Sequence, residues 1–405
     1  FVSLLEQSCQ DGLNPRRYHV ETLRQELRRP FLELMMDHRR IEFLLTDAFV
    51  RYVRDMTGMR VKAAALGLAP GDWRQPMPVT DILKALGRSR DKVALAQSYG
   101  LQTASYLRLR QELGTLMQTP AEPYLAALPL DFGGGLLRPG MRHPRIPDLR
   151  LRLGARPQTA DSLLYDDALF AAVIKFQTEN GLKADGLIGV ETLRLMNRTN
   201  GQRIGQLIAN LERLRWAGNI TAPRFVVVNI PSAMLWGIAD GKAVLEMPVV
   251  VGRAERPTQS FMTKITGVRF HPSWTVPETI KSQDILPRLL EDPSYVEAKG
   301  LELIRGRGAE AETLDPRAVD WAALSPAELR AIRMVQVPGA ENPLGRLRVL
   351  MPNVYDIYLH DTNQKEFFTA RDRALSSGCI RLAAPEKMAD FILAGKANWT
   401  EERTQ

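Results

Sequence analysis

The sequence predicts a multidomain α+β protein with a helical N-terminal scaffold, a small helical unit, and a mostly-β C-terminal domain interrupted by a helical insertion. Three observations carry that reading. At 405 residues the chain exceeds what one ordinary core holds, so two or three domains are expected. Apolar residues recur at helical spacing through the first third, and from about Ala222 they give way to short β-branched and aromatic runs. Clusters of Pro and Gly separate the two textures.

The N-terminal domain is expected over 1–140, packing with residues 200–220. Its clearest helix lies over 41–56, where Phe43, Leu44, Ala48, Tyr52 and Val53 fit one face, and a second runs from Tyr106 to Met117. Pro70, Gly71, Pro76 and Pro78 mark a loop between them. Breakers from Pro129 to Pro147, with Gly133, Gly134 and Gly135 among them, set the first boundary. Residues 141–200 read as a compact unit. Asp166 or Asp167 caps a helix that carries Phe170, Val173, Ile174 and Phe176 inward, and Gly181 stops it. Turns at Asp185-Gly186 and Gly189 lead into a second short helix through Thr192, Leu193, Leu195 and Met196.

The third domain, 222–400, holds strands at 224–230, 234–239, 243–251 and 354–360, with a hairpin break at Ala239-Asp240-Gly241-Lys242. Between 278 and 335 the pattern turns helical, with prolines at 287, 293, 316 and 326. So long an excursion inside a sheet domain reads as an insertion: a lid, a substrate-binding arm or a partner surface.

Composition narrows the class. Hydrophobic residues at 45% and charged residues at 25% are those of a globular protein. No run approaches the roughly 18 apolar residues of a membrane-spanning helix. The chain starts on Phe1, so an upstream segment is expected, either a signal peptide or a membrane anchor. The net charge of +8 is spread without a long block of like charge. It suits nucleic acid, a membrane face or a cell-wall sacculus, and equally a solvated basic surface; charge does not choose among them. Two cysteines, Cys9 and Cys379, exclude a disulfide scaffold and a four-cysteine zinc site. With no His/Cys/Asp/Glu cluster at metal spacing and no phosphate-cradling glycine loop before a lysine, no metal and no cofactor are expected.

The chemistry concentrates in 355–382, YDIYLHDTNQKEFFTARDRALSSGCIRL. A strand ends in His360, a polar loop follows, and the chain arrives at Ser376-Ser377-Gly378-Cys379-Ile380-Arg381. Pro385 then opens a helix over 385–394 that Gly395 ends. A cysteine just after a glycine can have backbone N–H groups free to point at a bound oxygen, which an oxyanion hole needs. A thiol is only a few per cent thiolate at neutral pH, so a neighbouring imidazole matters. Two adjacent strands would bring His360 beside Cys379, Arg381 would face the nucleophile's side, and Tyr358 would share a face with His360. On residue types alone, a cysteine beside a glycine is more often a small buried residue, and a strand-end histidine more often structural. His19, His38, His143 and His271 are expected to play structural parts.

Two motifs tip that balance. FQTENGLKADGLIGVETLRLMN, 176–197, resembles the peptidoglycan-binding domain found beside many wall enzymes. LHDT at 359–362 and SSGCIRL at 376–382 resemble the signature of the L,D-transpeptidase (YkuD-type) catalytic domain. With FHPSWTVP (270–277) and VPGAENPLGR (337–346), nearly the whole chain is similar to the large YcbB-type enzymes of Gram-negative bacteria. One departure stands out: where many members carry a second histidine before the Gly-Cys pair, this chain has Ser377, which leaves His360 as the base candidate.

The resemblance implies that Cys379 attacks the carbonyl between the third and fourth residues of a peptidoglycan tetrapeptide stem, releasing D-alanine and forming a thioester. A diaminopimelate amine of a neighbouring stem would resolve it as a 3→3 cross-link, with His360 moving the protons and the backbone carbonyl of Asp361 orienting the imidazole. Gly378 and Ser377 would supply loop and oxyanion-hole geometry, and Arg381, Tyr358, Trp274 and Ser376 would line the substrate site. The implied partners are stem peptides and glycan strands, carbapenem-type inhibitors and other wall-synthesis proteins, in the periplasm. Nucleic acid is not expected, nor a membrane except through an upstream anchor. Alternatives are a cysteine L,D-carboxypeptidase using water, an enzyme attaching a wall lipoprotein through its lysine, and a non-catalytic peptidoglycan-binding scaffold. Intact His360, Gly378, Cys379 and Arg381 argue against the last.

Overall fold

In a computed structural model, residues 1–69, 73–119, 126–130, 135–306 and 308–396 are described; Pro70, Gly71, Gly133, Gly134 and the last positions of the 222–400 span lie outside them. The chain divides into two units, one of residues 1–60 and 74–219, the other of 61–73 and 220–405.

In the first unit, the helix His38–Thr57 buries Ile41, and packs Ala48, Phe49, Tyr52, Val53 and Met56 against Leu5, Tyr18, Leu23 and Ile82. Phe43, expected to face inward, is 70% exposed. The buried stripe starts at Ile41, and two residues further on a helix points about 200° away. The helix Ala104–Gln118 packs on Asn200–Ala217 through Tyr106, Leu113 and Leu211. Arg215 is fully buried there, and burial of a charge requires partners. It donates to Asp11 O (2.7 Å), Tyr106 Oη (3.0 Å) and the Glu212 carboxylate (2.8 Å), which also accepts from Arg60 Nε (2.6 Å) and Trp216 Nε1 (2.9 Å).

Further along this unit, Asp166 caps the helix Asp167–Glu179 by accepting from Leu169 N. The side chain of Gln177 accepts from Gly186 N (2.8 Å) and donates to Leu187 O (2.9 Å), while Tyr165 Oη donates to Gly186 O (2.7 Å). The tight turn is therefore tied to the helix by side chains, over a core of Leu149, Tyr165, Leu169, Val173, Ile188 and Leu193.

Residues 61–73 group with the C-terminal unit. The Tyr355 hydroxyl accepts from Ala69 N (2.7 Å), giving this loop backbone a partner that its own helices do not supply.

The second unit holds twelve strands among its described residues: β1 (Arg224–Asn229), β2 (Met234–Ala239), β3 (Lys242–Gly252), β4 (Gly267–Phe270), β5 (Trp274–Thr275), β6 (Leu301–Arg305), β7 (Glu312–Leu314), β8 (Ile332–Gln336), β9 (Leu347–Leu350), β10 (Leu359–His360), β11 (Ala374–Ser376) and β12 (Ile380–Leu382). The main sheet runs β1-β2-β3-β12-β10-β9-β4, with β11 also beside β3. Its core face carries Val249, Val251, Leu347, Val349, Leu359, Ile380 and Leu382, against Met388 and Ala389 of the helix Pro385–Leu393. Strand side chains alternate, so the residues between these project from the opposite face.

The inserted segment differs from its helical reading. The helices Glu278–Ile280, Leu286–Glu291, Tyr295–Ala298 and Pro326–Ala331 are there, but so are β6, β7 and β8, which join β5 in a second sheet ordered β5-β8-β6-β7. Strands of three to five residues between prolines leave too short an alternation to read. This sheet has its own core of Ile285, Leu289, Val296, Leu303, Trp321, Ile332 and Met334. Among the described residues, no helix is long and apolar enough to cross a membrane.

Candidate active site

Strands β10 and β12 pair in parallel, with Leu359 opposite Ile380 and His360 opposite Arg381. Ile380 N donates to Tyr358 O (3.0 Å), so Cys379 sits beside the entry to β10, one step before the paired residues. The thiol donates to Asp356 O (3.7 Å). Tyr358 and His360 share a face, their ring centroids 5.7 Å apart at an interplanar angle of 61°.

The imidazole is 4% exposed, and its Nδ1 is hydrogen-bonded to the backbone carbonyl of Asp361. A carbonyl only accepts, so Nδ1 carries the proton and the lone pair is on Nε2. Asp361 is itself clamped: its carboxylate takes Lys365 Nζ and accepts from Arg346 N (2.8 Å). Gly345 (φ +58°) lets that carboxylate close in, because a Cβ there would lie 2.3 Å from Asp361 Oδ2.

The loop before the cysteine is built with equal care. Gly378 adopts φ +117°, a conformation that L side chains rarely take. Thr258 Oγ1 donates to Gly378 O (2.8 Å) and accepts from Gly252 N (2.8 Å). Ser376 Oγ donates to Cys379 O (2.6 Å) and accepts from Gly378 N (3.1 Å). The Gly378 N–H thus donates to a side chain, and the Ser376 hydroxyl is engaged within the loop. Ser377 Oγ lies 3.5 Å from Arg256, which makes a bidentate ion pair with Asp284 (2.5 and 2.9 Å) and donates to Gln283 (2.7 Å). Both of those belong to the π-helical turn Lys281–Ile285, so the inserted segment is tied to the cysteine loop.

Arg381 donates to Gln364 Oε1 (2.6 Å) and lies within 3.4 Å of Thr362 Oγ1. Trp274 sits apart from the thiol's hydrogen-bond network, on β5, where it lines a cavity of about 740 Å³ with Asp284, Tyr295, Gln336 and Gln364. Gln364 thus belongs to both the cavity wall and the Arg381 contact.

Electrostatics keep the pair neutral at rest. Burial, then the Arg381 and Arg348 guanidiniums, push His360 down to about 3. Burial raises the Cys379 thiol, against the opposing pull of the Tyr358 backbone and hydroxyl and the two arginines. Burial also raises the Tyr358 phenol above its ordinary range.

Sequence reasoning missed Arg348, Arg256, Thr258 and Gln364. Arg348, on β9, stacks over the Tyr358 ring with its guanidinium carbon 3.9 Å from the centroid. The alternation Leu347-Arg348-Val349 could have found it, since a charge between core residues marks an open face.

Comparison with known proteins finds three family matches along the chain. Residues 223–398 match the family described as "L,D-transpeptidase catalytic domain", 151–196 the "Putative peptidoglycan binding domain" and 1–113 a "Scaffold domain". A Haemophilus influenzae protein named "Putative L,D-transpeptidase" is 33% identical over 201 residues, 49% of this chain and 39% of that protein. The chain thus spans well under half of that relative's length. A solved L,D-transpeptidase from Stackebrandtia nassauensis is 15% identical over 63% of this chain and 89% of its own, at a TM-score of 0.23. A fused Zn-dependent amidase/peptidase/peptidoglycan-binding domain-containing protein from Clostridium acetobutylicum is 14% identical over 63% and 94%, at 0.15. Scores so low carry no argument about fold. The matched segments do, and the chain combines an L,D-transpeptidase catalytic domain of the YkuD type with a peptidoglycan-binding domain.

Proposed function

We propose that this chain is a periplasmic peptidoglycan L,D-transpeptidase that forms 3→3 cross-links through a Cys379 thioester. The observation that carries the reading is the placing of a glycine-preceded thiol one residue before β12, and of a tautomer-fixed imidazole on β10, the parallel strand paired with it in the matched domain. His360 Nε2 takes the thiol proton as sulfur attacks the carbonyl between the third and fourth stem residues. With the Gly378 N–H held by Ser376, the Cys379 N–H is the backbone donor for the oxyanion. The C–N bond breaks, the imidazolium returns its proton to the departing D-alanine amine, and the acyl group stays on sulfur. The side-chain amine of a second stem's diaminopimelate then attacks the thioester, gives a proton to His360, and expels the thiolate, which regains it.

A neutral resting pair suits this sequence of proton transfers, because the thiolate forms when a carbonyl is present to receive it. The match at 151–196 supports a wall polymer as the surface on which the enzyme works. The test is product analysis by mass spectrometry after incubating the full chain with disaccharide-tetrapeptide. A cross-linked dimer lacking one D-alanine supports the reading. Release of D-alanine with tripeptide alone would make the enzyme a carboxypeptidase, and neither product would leave a wall-binding scaffold.

A further inference from the structure

One line of side chains crosses the main sheet. Arg269 on β4 pairs with Arg348 on β9, Arg348 with His360 on β10, and His360 with Arg381 on β12. Directly paired residues project from the same face, and the residues flanking these four, Asp361 excepted, belong to or pack against the core. Three arginines therefore stand in one row with the proposed base between two of them.

Like charges opposite one another on paired strands are destabilising, so such a row ordinarily carries interleaved carboxylates. Here it does not. Arg381 is held by neutral partners, Gln364 and Thr362. Arg348 lies on the Tyr358 ring, and its buried Nε has no hydrogen-bond partner. Arg269 is exposed. Among the described residues none of the three makes an ion pair, and Glu366 acts on Arg381 only at longer range.

We propose that Arg348, with Arg269 beside it, is a specificity-determining residue that binds a carboxylate of the donor peptide, distinct from the group at Arg381. The inference rests on the transpeptidase reading and names what its substrate must carry. Strands lie about 4.8 Å apart, so Arg348 and Arg381, two strands apart, are separated by about 10 Å. An extended peptide rises about 3.3 Å per residue, so the preferred donor carries carboxylates roughly three residues apart, running across the strands with its scissile carbonyl over the His360 line. An arginine stacked on an aromatic face is preorganised for such a contact, since its guanidinium plane is already fixed.

The test uses the full chain and two ligands, a tetrapeptide stem with free carboxylates and its analogue amidated at the carboxylate remote from the scissile bond. Acylation of Cys379 is followed by intact mass. In the wild type, amidation slows acylation roughly ten- to a hundredfold, the range of a charge-assisted hydrogen bond. Arg348→Gln is slowed by about as much on the free acid and does not distinguish the two ligands, while Arg348→Lys recovers part of the preference. Arg269→Gln, at an exposed position, has a smaller effect in the same direction. An Arg348→Gln variant slowed by the same factor relative to wild type on both ligands, so that the preference for the free acid persists, would assign the residue a purely structural part and overturn the proposal, as would a wild type indifferent to amidation. A wild type acylated by neither ligand would instead remove the transpeptidase reading on which the proposal rests.

Discussion

The segment around Gln177 and the face of the main sheet around His360 both carry readable motifs, yet their polar groups are disposed in opposite ways. Gln177 is 1% exposed and uses its amide to hold the Gly186 N–H and the Leu187 carbonyl, within its own fold. Arg348 has a buried Nε without a partner, and Cys379 holds its thiol against a backbone carbonyl at 3.7 Å. The first motif is recognisable because the turn needs it; the second because chemistry needs it. A motif whose polar atoms are all engaged within the fold marks architecture, and one with charge and hydrogen-bonding capacity left over marks a site.

That contrast can be broken at either end. The largest effect is expected at His360: replacement by Ala should slow acylation of Cys379 by about 10²- to 10⁴-fold, the usual range for a general base. A melting temperature close to the parent's would separate lost chemistry from lost fold, and an unchanged rate would remove His360 as the base. Gln177→Ala should do the reverse. It leaves the buried Gly186 N–H and Leu187 carbonyl without the amide, costing about 1–3 kcal/mol in thermal unfolding, while acylation stays at the parent rate. Slowed acylation in that variant would contradict the division drawn here.

The smallest effect is a flat pH profile. Burial, with Arg381 and Arg348, holds His360 at about 3, so acylation should show no acidic limb at an ordinary imidazole's 6.5. Stability follows the opposite logic. Between about 6.5 and 3 the unfolded chain binds the proton that folded His360 refuses, so this group's contribution to stability falls as pH drops through that window. An inflection in acylation near pH 6.5 would mean an exposed, ordinary base.

Much of this site was legible because its residues are near in sequence. Tyr358, His360, Cys379 and Arg381 come from one stretch of the chain, and a strand's two-residue period already places Tyr358 with His360. What escaped reading comes from elsewhere. Thr258 and Arg256 reach the cysteine loop from the turn after β3, and Asp284 from the inserted segment, contacts that no local period encodes. The engaged Gly378 N–H escaped for a subtler reason: the Ser376 side chain that captures it is itself part of the motif. The second sheet was hidden by strands too short to alternate visibly, and the outward turn of Phe43 by taking a helix's phase one residue pair out of register.

The central claim is that Cys379 is an activated acyl acceptor, and intact-protein mass spectrometry after incubation with a carbapenem tests it most directly. One adduct per chain, absent from Cys379→Ala, is the predicted result. A folded wild type without an adduct, or an adduct persisting in the variant, would contradict it.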